Sequence, residues 1–122
     1  MTVTDTVTLA QRWTVICPYA RLEPERGVAA LVNGVQIAIF RLYDGQLFGI
    51  GQNDPVSGAN VMSRGLIGTR DGVPTVTSPM HKQVYALRTG ECLDLPGIRL
   101  PVYPIRLRAG LVEVGEHHGA GR

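Results

Sequence analysis

The sequence predicts an all-β domain: a small sandwich or barrel of about nine short strands, with one lid-like pair of loops. Fifteen glycines and eight prolines cut its 122 residues into short segments. Those segments are rich in Val, Ile, Leu and Tyr, the side chains that suit a pleated, half-buried surface. Between them stand dipeptides such as Asn33-Gly34 and Asp44-Gly45, which tolerate the positive φ angles of tight hairpins. A chain of this size fits one domain and buries roughly two thirds of its unfolded surface.

The first strand is expected over Arg12 to Pro18, where Trp13, Val15 and Cys17 alternate with Thr14 and Ile16, and Trp13 is the expected core anchor. "YARLEPERG" reads as a polar connection with one helical turn around Leu22 to Glu25. A three-strand meander follows, with strands Val28 to Val32, Val35 to Leu42 and Gln46 to Gly51 and type I′ turns at Asn33-Gly34 and Asp44-Gly45. "QNDPVSGANVMSRGLIGTRDG" then loses all periodicity, and irregular stretches of that length in compact domains are usually functional. Asp71-Gly72 marks a turn, "VPTVTSP" a strand, Thr89-Gly90 the tip of a hairpin and Ala109-Gly110 the tip of a last one. In that last hairpin Ile105, Leu107, Leu111 and Val112 are expected in the core, with Arg106 and Arg108 on the opposite face. Residues 1–11 and the tail 116–122 are expected to be flexible, flanking a domain over 12–115.

Composition narrows the function. With 44% hydrophobic and 18% charged residues the chain is an ordinary globular sequence, and the longest apolar runs, such as Val35 to Phe40, are too short to span a bilayer. A net charge of +2 with scattered arginines calls for neither nucleic acid nor an anionic membrane. The first residues lack a basic segment followed by an apolar one, so a cytoplasmic protein is expected. Cys17 and Cys92 are then free thiols.

Catalytic constellations are sparse. A zinc or iron–sulfur site needs about four soft or imidazole ligands in close pairs, whereas Cys17 and Cys92 lie 75 positions apart and the histidines are His81, His117 and His118. Ser78 precedes His81 by three residues, yet a loop serine beside a proline more often satisfies backbone groups than acts as a nucleophile. Asp54 with Glu91 or Asp94 could form an acid–base pair, though loop acids are commonplace. "GIGQND" lacks the third glycine and the following helix of a dinucleotide fingerprint. No catalytic residue and no metal site of its own are expected.

Two loops nevertheless carry a pattern. "DPVSGA" (Asp54 to Ala59) and "SPMH" (Ser78 to His81) resemble the Cys-Pro-His-x-Gly-Ala and Cys-x-x-His loops of the Rieske-type [2Fe–2S] fold. Asp54, Val56 and Ser78 then stand where three ligands would be, and His81 alone is retained. "WTVIC", "VQIAIFRL", "NDP", "SRGLIG" and "SPMHKQVYALRTGECL" together resemble, over Trp13 to Val114, the small-subunit family of assimilatory NAD(P)H-dependent nitrite reductases. The resemblance implies a Rieske-like β fold without the cluster. It also implies a non-catalytic subunit partnering a large one that carries FAD, an iron–sulfur cluster and sirohaem. Aspartate and serine offer hard oxygens and valine offers nothing, so the vestigial positions Asp54, Val56, Ser78 and His81 are expected to hold their loops by packing and hydrogen bonds. The loop tips become a surface for that partner, with Met62, Arg64, Met80, His81, Lys82 and Gln83 as interface candidates. A Rieske-type ferredoxin electron carrier, which requires a cluster, and a stand-alone β binding module are the competing readings.

Overall fold

The computed structural model describes residues 12–116. Ten strands lie among them: β1 (Trp13–Pro18), β2 (Gly27–Val32), β3 (Val35–Arg41), β4 (Leu47–Gly51), β5 (Leu66–Arg70), β6 (Val73–Thr77), β7 (Val84–Ala86), β8 (Val102–Tyr103), β9 (Ile105–Arg108) and β10 (Leu111–Gly115). They form three antiparallel sheets, ordered β9-β10-β1, β2-β3-β4-β8 and β5-β6-β7. The regular structure is β throughout, apart from single 3₁₀ turns at Tyr19–Arg21 and Met62–Arg64.

Strand β3 organises the interior because it is apolar on both faces. Ala38 and Phe40 point into one core with Ile50, Met62, Val76, Tyr85, Leu87 and Leu100. Ile37 and Ile39, one residue out of phase, point into a second with Leu22, Val112 and Val114. The first core therefore joins the meander to the sheet β5-β6-β7, and the second joins it to β9-β10-β1. Three turns are of the predicted kind: Asn33-Gly34 (φ 50 and 81), Asp71-Gly72 (53 and 79) and Ala109-Gly110 (52 and 79).

Seven expectations need correction. At Asp44-Gly45 only Gly45 has positive φ (93), and the Gly45 amide donates to the Leu42 carbonyl (2.9 Å), so Tyr43, Asp44 and Gly45 form a three-residue loop rather than a type I′ pair. The helical turn falls at Tyr19–Arg21, not Leu22 to Glu25, because Leu22 is buried and Pro24 bridges to Arg41. Trp13 is half-buried, its ring covered by the Arg106 guanidinium at 4.0 Å. A register shift opposite Val112 and Glu113 leaves Ile16 without a partner in β10, so Ile16 and Cys17 both pack on the second core while Val15 faces water. Leu107 is 49% exposed, since β9 is an edge strand. Leu66–Arg70, within the stretch expected to be irregular, is strand β5. After Thr89-Gly90 the chain returns by single bridges, Tyr85 to Cys92 and Glu91 to Arg99, instead of a strand. The expected flexible segment 1–11 and all of the tail but Glu116 lie outside the described residues.

Candidate functional site

Loop 1 leaves β4 at Gly51, and loop 2 joins β6 to β7. The buried Gln52 clasps the base of loop 1: its Nε2 donates to Ser63 Oγ (2.9 Å) and its Oε1 accepts from the Ser63 amide (2.7 Å). Asn53 Nδ2 donates to the Gly58 carbonyl (2.8 Å) and to Asn60 Oδ1 (3.1 Å). Asp54 folds the tip. Its amide donates to the Ala59 carbonyl, its carbonyl accepts from the Gly58 amide, and Oδ1 accepts from the amides of Val56 (2.8 Å) and Ser57 (3.4 Å). In loop 2 the Ser78 amide donates to the Gln83 carbonyl (2.9 Å), Lys82 donates to the Ser78 carbonyl (3.1 Å), and the Met80 amide donates to Ser78 Oγ (3.2 Å).

One bond joins the two loops. The Ser78 hydroxyl donates to Asp54 Oδ2 at 2.5 Å, and both residues are fully buried. Burial pushes the Asp54 carboxyl up, but the Ser78 hydroxyl and the Val56 and Ser57 donors outweigh it, and the group ends below the ordinary carboxylate range. Asp54 is therefore a buried anion held by neutral donors. Beside it, burial first and the charge of Asp54 second push the Tyr85 phenol up to about 12, and its hydroxyl has no hydrogen-bond partner.

The catalytic candidates do not assemble. Ser78 turns inward to Asp54 while His81 faces solvent, so these two do not form a nucleophile–base pair. Glu91 and Asp94 are exposed and paired to Arg99 (3.5 Å) and Arg70 (3.2 Å), whereas Asp54 is buried and bonded to Ser78. Cys17 and Cys92 are free, as expected. His117 and His118 lie outside the described residues. Among the interface candidates Arg64, Met80, His81 and Lys82 are exposed and Gln83 is half-buried. Met62 is corrected: it is fully buried in the first core under loop 1 and offers nothing to a partner. Sequence reasoning missed the Asp54–Ser78 bond and the Gln52–Ser63 clasp. The signal was present for the first, since an acid and a hydroxyl stand at two paired ligand positions and are complementary as acceptor and donor.

The model of the Rieske-like [2Fe–2S] domain family matches residues 12–115. The Escherichia coli nitrite reductase (NADH) small subunit is 38% identical over 104 residues, covering 84% of this chain and 96% of that protein. This chain belongs to the nitrite reductase small-subunit family. A Mycobacterium tuberculosis crystal structure assigned to the same family, as an NADH-dependent nitrite reductase small subunit, is 46% identical with a TM-score of 0.86, over 90% of this chain and 99% of that one. A Klebsiella oxytoca protein named nitrite reductase [NAD(P)H] large subunit is 37% identical over 103 residues, which is 84% of this chain but 11% of that protein. The small-subunit domain thus also occurs inside a much longer polypeptide.

A Rieske cluster is held by two thiolates and two imidazoles. At the four positions that the loop resemblance aligns with those ligands, Asp54, Val56, Ser78 and His81, this chain has a carboxylate, an isopropyl group, a hydroxyl and one imidazole. Two of the four are bonded to each other inside the protein, and the imidazole faces out. These residues do not fit a [2Fe–2S] cluster.

Proposed function

We propose that this chain is the non-catalytic, cluster-free small subunit of a cytoplasmic NAD(P)H-dependent nitrite reductase of nitrate assimilation. Its partner is the large subunit, which carries FAD, an iron–sulfur cluster and sirohaem and reduces nitrite to ammonium. The observation that carries this reading is the buried Asp54–Ser78 bond: the two loops that hold iron in the wider family are closed on each other by oxygen chemistry, so the subunit contributes shape. Occurrence of the same domain within the longer Klebsiella oxytoca protein supports a large-subunit partner, because fusion keeps two cooperating units together.

The test is a pull-down with this chain from nitrate-grown cells, with nitrite-dependent NAD(P)H oxidation measured with and without it. Recovery of a large haem-containing polypeptide, and activity or stability that depends on adding this chain, are expected. A brown, iron- and sulfide-bearing preparation would favour the ferredoxin reading instead, and a persistent monomer without a partner the stand-alone module.

A further inference from the structure

We infer that the joined tip of the two loops is an apolar knob with a cationic rim that docks on an acid-rimmed apolar surface of the large polypeptide, an inference that rests on the subunit reading above. Val56 is 39% and Met80 49% exposed, and Pro55 beside Val56 is exposed as well. Val56 and Met80 each stand two residues after Asp54 and Ser78, the pair whose bond joins the two loops. Neither Val56 nor Met80 belongs to a core cluster, and both loops are closed by polar bonds that do not use them. The fold therefore does not need them where they are. Exposed apolar residues elsewhere, such as Leu31 with Val35 or Leu93 with Leu95, each belong to one hairpin or one loop, whereas the tip draws on two joined loops.

Charge gives the occupant its chemistry. Over residues 53–60 and 78–83 the one acid is Asp54, which is buried, while His81 and Lys82 are exposed and Arg64 is exposed on the 3₁₀ turn that closes loop 1. Elsewhere several exposed bases are neutralised by acids, Arg26 by Glu23, Arg70 by Asp94 and Arg99 by Glu91. Lys82 also takes a left-handed backbone (φ 66) that a glycine would adopt more readily, so its ammonium is displayed there at a conformational cost. A partner that covers this tip must supply acidic side chains around an apolar floor. The contact is small. A knob of this size falls below the roughly 1,200 Å² of a standard interface and fits a dissociable contact, which suits a family that also uses the domain tethered within one chain.

The experiment immobilises the purified large subunit from the same cells and measures binding of the full chain and three variants: Val56→Asp, Lys82→Glu and, on a separate hairpin, Leu107→Asp. Each altered residue is exposed, so the variants fold, and circular dichroism confirms it. Binding is expected to weaken by about tenfold or more in each tip variant, to fall for the unaltered chain as salt is added, and to stay unchanged in Leu107→Asp. Tip variants that bind like the unaltered chain, or a loss confined to Leu107→Asp, overturn the docking surface and leave the subunit reading standing. A concentration-dependent dimer of this chain that Val56→Asp abolishes overturns it in favour of self-association. No binding by the unaltered chain takes the subunit reading down as well.

Discussion

Replacing Ser78 by alanine tests the bond that joins the two loops. The substitution removes the donor to Oδ2 of a fully buried carboxylate and the acceptor of the Met80 amide, while leaving the backbone of both loops untouched. Hydrogen bonds to charged groups contribute about 1.5–3 kcal/mol and neutral ones about 1 kcal/mol, so the loss comes to about 3 kcal/mol. In urea, with a slope of about 1.5 kcal/mol/M, the midpoint falls by about 2 M with the slope unchanged. Combining Ser78→Ala with Asp54→Asn gives a double-mutant cycle, whose coupling is expected to exceed about 1 kcal/mol at neutral pH. The sign with pH follows from the depressed carboxyl of Asp54. Its contribution is complete above the unfolded carboxylate value of about 4 and is lost as pH falls through the lower folded value. The coupling must therefore shrink in acid. Coupling near zero at neutral pH, or coupling indifferent to acidification, would refute the claim that this bond holds the loops together.

Three further outcomes follow from the same geometry. The triple substitution Asp54→Cys, Val56→His and Ser78→Cys restores the Cys₂His₂ set with His81 and is expected to yield a brown protein containing iron and acid-labile sulfide on anaerobic reconstitution; the unaltered chain treated identically should contain neither. Gly90→Ala should cost more than about 2 kcal/mol in urea unfolding, because a Cβ there would collide with the Leu100 carbonyl oxygen at a backbone φ of 80, whereas Gly97→Ala, at φ 85 in open space, should cost about 1 kcal/mol. Tyr85→Phe removes a buried hydroxyl that has no partner and is expected to be neutral or stabilising by up to about 1 kcal/mol. Because the folded phenol is raised to about 12, the unaltered protein loses stability as pH rises from about 10 toward that value. Alkaline urea titration should show that loss diminished in the phenylalanine variant.

Local chemistry made much of the fold legible. Asn33-Gly34, Asp71-Gly72 and Ala109-Gly110 take positive φ at both positions, and so the hairpins they close were readable from dipeptides. Strand β5 was not readable, because Leu66 is 73% exposed, Gly68 interrupts the run and Ile67 alone of its five residues turns toward the core. The register shift at Ile16 escaped for a related reason: a bulge places two consecutive residues on one side, and alternation then misassigns everything before it. At the site, the resemblance of the two loops pointed to Asp54 and Ser78, which the structure shows bonded to each other. The burial of Met62 depends on how loop 1 folds back over the sheet through Gln52 and Ser63, a contact between residues eleven apart.

The exchange at the tip also bears on how the loops would behave in a cell. A cluster cross-links its two loops by coordinate bonds, and their geometry then depends on iron supply and on the redox state of the metal. Here the same two points are joined by one charge-assisted hydrogen bond in the protein interior, reinforced by backbone bonds within each loop. None of those groups takes part in electron transfer. The one that titrates near neutral or acidic pH is Asp54, and its carboxyl is held below the ordinary range. The bond that joins the loops thus does not change with redox poise and weakens only in acid. That is what a docking surface needs and what an electron carrier cannot use, and it is why the iron content of the unaltered protein and the coupling between Asp54 and Ser78 have to be read together.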